Sequence, residues 1–150
     1  MPNALDDDFS KWLDVMGLSS IEQAALANFM RNGAFERHLR RASQMLRNRR
    51  TALVDSLRRH LGDRIELQDS HAGMHLVVWL RDMDHARRQA LIEHALTQGP
   101  GLHSTAPSYF SPPPRAGLLL GYAGLSVAEL KAAVALLGHC LRTLPEAVAA

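Results

Sequence analysis

From residue 34 to residue 61, apolar side chains recur at Phe35, Leu39, Ala42, Leu46, Leu53, Leu57 and Leu61. Spacings of three and four put them on one stripe of a long helix, and Gly62 is placed to end it. Arg49 and Arg50 interrupt the stripe, but arginine stems can cover apolar surface while their heads stay in water, so the helix is expected to continue. Ahead of it, Ser19 and Glu22 have capping-box spacing, and Ile21, Ala24, Ala25, Phe29 and Met30 follow at helical spacing up to Asn32 and Gly33. The first eighteen residues, with Asp6, Asp7 and Asp8, show no clean period and read as a lead-in of irregular or short helical structure.

Beyond Gly62 the period falls to two. Ile65 and Leu67 alternate with polar neighbours, Asp69 to Gly73 reads as a turn, and Met74 to Leu80 is a strongly β-prone run, so two antiparallel strands are expected. Asp82 or Asp84 then caps a helix through Ala90, Leu91, Ile92, Ala95 and Leu96, closed by Gly99, Pro100 and Gly101. A short strand is expected near Leu102 to Thr105. Residues 106 to 116 carry Pro107 and the run Pro112, Pro113, Pro114, and proline's fixed φ and missing donor make this a loop. Gly117 to Tyr122 reads as a buried strand. Ser126 and Glu129 form a second capping box before Val127, Leu130, Val134, Leu137, Leu141 and Leu144. The order helix, helix, strand, strand, helix, strand, strand, helix predicts the α/β class in its α+β form: a two-layer sandwich with helices over one face of a small mixed or antiparallel sheet.

Composition adds three points. A chain of 150 residues, 47% hydrophobic, is sized for one domain or a piece of a larger one. The net charge is only +2, yet fifteen of the seventeen basic residues are Arg and eight of them crowd between Arg37 and Arg59. Glu36 and Asp55 are mixed among them, so a solvated face or a partner interface is favoured over direct nucleic-acid binding. The lone Cys140 allows no internal disulfide and reads as a small buried residue; with no leader or membrane-length apolar run, a cytoplasmic protein is expected.

Six segments follow one another along the chain, Ser20 to Met30, Gly33 to Arg41, Arg49 to Leu53, Ala72 to Leu76, Pro107 to Phe110 and Leu118 to Ala123, and in this order they resemble the C-terminal region of MocR-type proteins, in which a GntR winged-helix domain is fused to a fold-type-I aminotransferase domain. Ser20 to Met30 is similar to the family's Ser-x-x-Glu-Gln-x-x-Leu-Ala-x-Phe segment, and Gly33 to Arg41 to its Gly-x-aromatic-x-x-His-x-Arg-Arg; Arg49 to Leu53 continues it. Ala72 to Leu76 resembles an Ala-Gly-Leu-His-Leu strand, Pro107 to Phe110 a Pro-x-Ser-x-Tyr loop, and Leu118 to Ala123 a Leu-x-Leu-Gly-aromatic-Ala strand. The resemblance covers about residues 19 to 144. It implies the small C-terminal domain over residues 33 to 150, with residues 1 to 32 left over from the junction with a large domain. It further implies pyridoxal phosphate in a longer parent but not in this chain alone, a large domain and a winged-helix DNA reader as partners, and a homodimeric parent. The family's Schiff-base lysine segment would lie upstream of Met1, making the chain a fragment or a truncated product.

The same resemblance singles out candidate effector contacts. The fold's arginine clamp for a substrate carboxylate would fall at Leu119, an apolar residue, leaving Arg115 as the nearest substitute. Tyr109 lies on a loop that approaches the active-site mouth in the family. Lys11 follows Ser10 as the cofactor lysine would, but it lacks the family's Arg-x-Gly continuation. His71 and His75, four apart on a turn and strand, do not converge as helical metal ligands would. Two other readings stay open: the lid of a working aminotransferase, and a stand-alone basic interaction module.

Lys11 and Lys131 are the only side-chain amines. Lys131 falls off the apolar stripe of its helix and Lys11 lacks the arginine and glycine context that would place a phosphate beside it, so incubation with pyridoxal phosphate followed by borohydride reduction should give weak adducts scattered over accessible amines. A single stoichiometric adduct at Lys11 in mass spectrometry, lost in Lys11→Ala, is the contrary result.

Overall fold

The computed structural model describes residues 19–68, 73–111 and 113–145. The expected lead-in, Lys11, His71 and most of the Asp69 to Gly73 turn lie outside them. The described residues fall into two compact units, divided after Gln44. In the first, helix α1 spans Ser20–Arg31 and buries none of its residues; Ile21 is 80% exposed. Ser19 is its N-cap residue, but its side chain makes no capping bond. The first turn closes instead through the main chain, with Gln23 N–H donating to Ser19 O at 3.1 Å. The capping box expected at Ser19 and Glu22 is therefore not formed.

Helix α2 runs over Ala34–Leu61, as its apolar stripe predicts, and Gly62 ends it in the left-handed region at φ 52°. Strand β1 (Ile65–Leu67) follows, then β2 (His75–Leu80), helix α3 (His85–Gln98), β3 (His103–Ser104), β4 (Gly117–Gly121) and helix α4 (Val127–Thr143). Both caps predicted downstream are present. Asp84 accepts from Arg87 N–H at 2.7 Å. Ser126 and Glu129 close a reciprocal capping box, and its hydrogen bonds, led by the one from the Ser126 main chain, hold the Glu129 carboxyl below the usual range. Within the proline loop, Ala106–Ser108 makes a 3-10 turn. Pro107 fits there because a residue in the first turn needs no main-chain donor.

The sheet has the order β1-β2-β4-β3, and every pair is antiparallel. Opposed residues share a face. Ile65, Leu76, Val78, Leu80 and Leu118 therefore look one way, onto Leu53, Leu57 and Leu61 of α2, Leu91 and Ala95 of α3, and Leu130, Val134, Leu137 and Cys140 of α4. Arg49 departs from the solvated role expected of it: it is half-buried and donates to Ala123 O, tying α2 to the turn after β4. Cys140 is fully buried, as expected, and burial raises its thiol pKa.

Leu57 is 0% exposed at the centre of this core. Leu57→Ala should destabilise the fold by about 2–5 kcal/mol, since the cavity adds to the lost transfer energy. Urea unfolding of the two proteins checks this, and a change under about 1 kcal/mol would show that the site collapses around the smaller side chain.

Candidate functional site

The other face of the sheet carries Glu66 of β1, His75, Val77 and Trp79 of β2, Gly117, Leu119 and Gly121 of β4, and His103 of β3. The register sets Trp79 between Glu66 and Gly117. The indole lies over the glycine: a Cβ built there would stand 2.7 Å from a ring carbon and 2.9 Å from Thr105 Oγ1. Trp79 is only 7% exposed, and its Nε1–H donates to Gln68 Oε1 at 3.0 Å, so the ring is both packed and satisfied.

Arg115 comes down on this platform. Its guanidinium carbon sits 4.9 Å from the Trp79 ring centroid, and its Nη1 and Nη2 donate to the two Glu66 oxygens at 2.8 and 3.2 Å. The planar fork is thus matched to a carboxylate, and that carboxylate is the protein's own. Hydrogen bonding to Arg115 lowers the Glu66 pKa and raises that of Arg115, both groups remaining half exposed. A second anchor holds the same loop from α3. His85 Nε2 lies 2.9 Å from Pro113 O, and Arg88 Nη1 lies 3.0 Å from His85 Nδ1. Arginine only donates, so Nδ1 accepts and the ring is the Nε2–H tautomer. Arg88 is 7% exposed and its Nε is buried without a partner.

Tyr109 lies on the stretch that these two anchors hold from the Pro113–Arg115 end. Its side chain is 45% exposed and Phe110 beside it is fully exposed. Leu119 sits mid-strand on the open face, opposite Val77 on one side and His103 on the other. Arg115 and Tyr109 therefore share one loop, while Leu119 lies on the strand that follows. Glu66, His85 and Arg88 were not singled out by the sequence. Alternation along β1 and β2 could have placed Glu66 and Trp79 on one face, and His85 and Arg88 have the three-residue spacing of neighbours on a helix. No group of three metal-ligating side chains occurs among the described residues, and no described helix is long and apolar enough to cross a membrane.

No family model matches the chain. It is 35% identical over 127 residues to the probable rhizopine catabolism regulatory protein MocR of Rhizobium meliloti, covering 83% of this chain and 25% of that protein. It is 30% identical over 114 residues to the uncharacterized HTH-type transcriptional regulator YhdI of Bacillus subtilis, covering 76% of this chain and 24% of that one. Among solved structures, the α-aminoadipate aminotransferase LysN of Thermus thermophilus, complexed with N-(5'-phosphopyridoxyl)-L-leucine, matches with a TM-score of 0.70 at 21% identity, over 82% of this chain and 31% of LysN. The multiple substrate aminotransferase of Thermococcus profundus gives 0.71 at 17% identity, over 81% of this chain and 30% of its own. The fold is that of the small domain of aminotransferases. The chain is an aminotransferase-like part of the MocR-type HTH regulators, and it spans about a quarter of the length of the curated relatives it matches.

Glu66 is held below its ordinary pKa in the folded state, so its contribution to stability is complete above the unfolded glutamate value, roughly pH 4.3, and fades as pH falls through the lower folded value. Glu66→Gln should remove that part of the acid dependence. Melting temperatures from pH 6 down to about pH 3 test this, and superimposable profiles for the two proteins would show that the pair does not couple to folding.

Proposed function

We propose that this chain is the small, closing domain of an effector-sensing module in a MocR-type transcriptional regulator, and that it does no catalysis by itself. The observation that carries the reading is the pairing of 35% identity to part of a MocR protein with the small-domain fold of aminotransferases. In this reading a large domain and a winged-helix DNA reader lie elsewhere in a longer, homodimeric parent. The exposed apolar side chains of α1, among them Ile21, Leu26 and Met30, support a covering of that kind.

Pyridoxal phosphate would belong to the parent. The described residues of this chain do not fit it alone: their one lysine, Lys131, is exposed on α4, and the buried Arg88 is turned to His85. What the chain supplies is an effector-facing surface. Tyr109 would reach the ligand from the proline loop, and Arg115 would serve as a contact once a ligand carboxylate displaces Glu66. Leu119, where a fixed carboxylate clamp would stand, favours sensing over transamination.

The test is the coding sequence upstream and the behaviour of the joined protein. The expected result is an in-frame segment with the Ser-Lys motif and a winged helix, whose product binds operator DNA with ligand-dependent affinity. An unrelated upstream gene, or a joined protein that transfers amino groups between amino and keto acids, would count against a regulator.

A further inference from the structure

Arg88 of α3 is a buried cation whose acceptor is a neutral ring. The side chain is 7% exposed, its Nε has no partner, and the one hydrogen bond its guanidinium makes among the described residues runs from Nη1 to His85 Nδ1 at 3.0 Å. A buried charge is costly unless it is paired, so an imidazole in place of a carboxylate calls for a reason. An imidazole is a conditional acceptor. Nδ1 accepts only while it carries no proton, and a proton there sets two cations donor to donor at hydrogen-bond distance.

His85 is the member of the pair that can yield. Arg88 is enclosed, whereas His85 is half-buried, opens α3 and lines a groove beside the proline loop. The charged groups of that groove are Glu66 of β1, Arg81, Asp82 and Asp84 of the turn before α3, and Arg115 of the loop. Glu66 and Arg115 satisfy each other, and one Asp84 oxygen caps the helix. Asp82 and the second Asp84 oxygen are the anionic groups that an outward-turned imidazolium meets, with Arg81 opposing. The positive end of α3 also disfavours a charged ring left in place. Turning outward carries Nε2–H away from Pro113 O, the 2.9 Å contact that holds the loop to α3.

We propose that His85 and Arg88 form an acid-released latch on the stretch that carries Tyr109 and Phe110. Neutral His85 bridges Arg88 to Pro113 O and fixes the loop; a proton on Nδ1 expels the ring from Arg88 and frees it. The Arg115 end is held separately, because hydrogen bonding to Arg115 keeps Glu66 ionised below the usual carboxylate range. The two anchors therefore part at different acidities. The first yields in the imidazole range, about pH 5 to 8, and the second only below roughly pH 4.3. Acidification thus loosens the effector contact at Tyr109 while Arg115 stays in place, a consequence that rests on the effector-contact reading of Tyr109.

The experiment follows the whole chain by NMR from about pH 7.5 to about pH 5.5. It uses neither effector nor DNA, so its outcome is separate from that of the regulatory reading. The His85 ring signals report protonation, the heteronuclear NOE of the Tyr109 and Phe110 amides reports the loop, and the Arg115 side-chain N–H reports the second anchor. The NOE should fall with the same midpoint as the His85 ring, while the Arg115 signal stays ordered. His85→Gln cannot titrate and should show no such transition. A His85 ring that stays neutral through this range, a loop that stays ordered once the ring is protonated, or an undiminished transition in a folded H85Q would each overturn the proposal. The shared midpoint is read in the unsubstituted chain, so it decides the matter even if H85Q fails to fold.

Discussion

The antiparallel register of Val78 against Leu118 is the constraint on which the rest of this structure depends. Both residues are 0% exposed and lie on the two central strands of the sheet. A slip of one residue would turn Leu76, Val78 and Leu80 outward and bring His75, Val77 and Trp79 against α2, α3 and α4. The helix side is lined mainly by Leu53, Leu57, Leu61, Leu91, Leu130, Val134 and Leu137, so the slipped register would carry a desolvation cost for an imidazole and an indole N–H. One pairing choice thus fixes both the core and the composition of the open face.

The open face is organised by a different set of forces. Gly117 must lack a side chain because Trp79 lies over it, and the ring in turn gives Arg115 a flat surface beside Glu66. With His85 holding Pro113 O, the loop that carries Tyr109 is tied near its end to both a strand and a helix. A loop held at its root and bare at Tyr109 and Phe110 combines a fixed position with adaptable contact surface. The proposed effector contact at Tyr109 relies on that combination.

How much of this was legible follows from which forces act locally. The helices, the cap at Asp84, the capping box at Ser126 and the strands around Val78 and Leu118 are set by periodicity and by side chains a few residues apart, and all were readable. The capping box at Ser19 and Glu22 has the same spacing and does not form, because spacing permits a hydroxyl to turn toward an amide without requiring it. Arg49 was read as solvated because its partner, the carbonyl of Ala123, is 74 residues away. The same distance in sequence concealed Glu66 from Arg115, 49 residues apart. Long-range polar pairs leave no periodic trace in a chain, whereas apolar stripes do.

β3 is the short edge of the sheet, pairing with β4 over only two residues. On one side of it Gly99 closes α3 with φ 118°, and on the other the 3-10 turn Ala106–Ser108 begins. Edge strands are usually made short or covered to prevent pairing with foreign chains. At two residues, β3 offers little edge for such pairing.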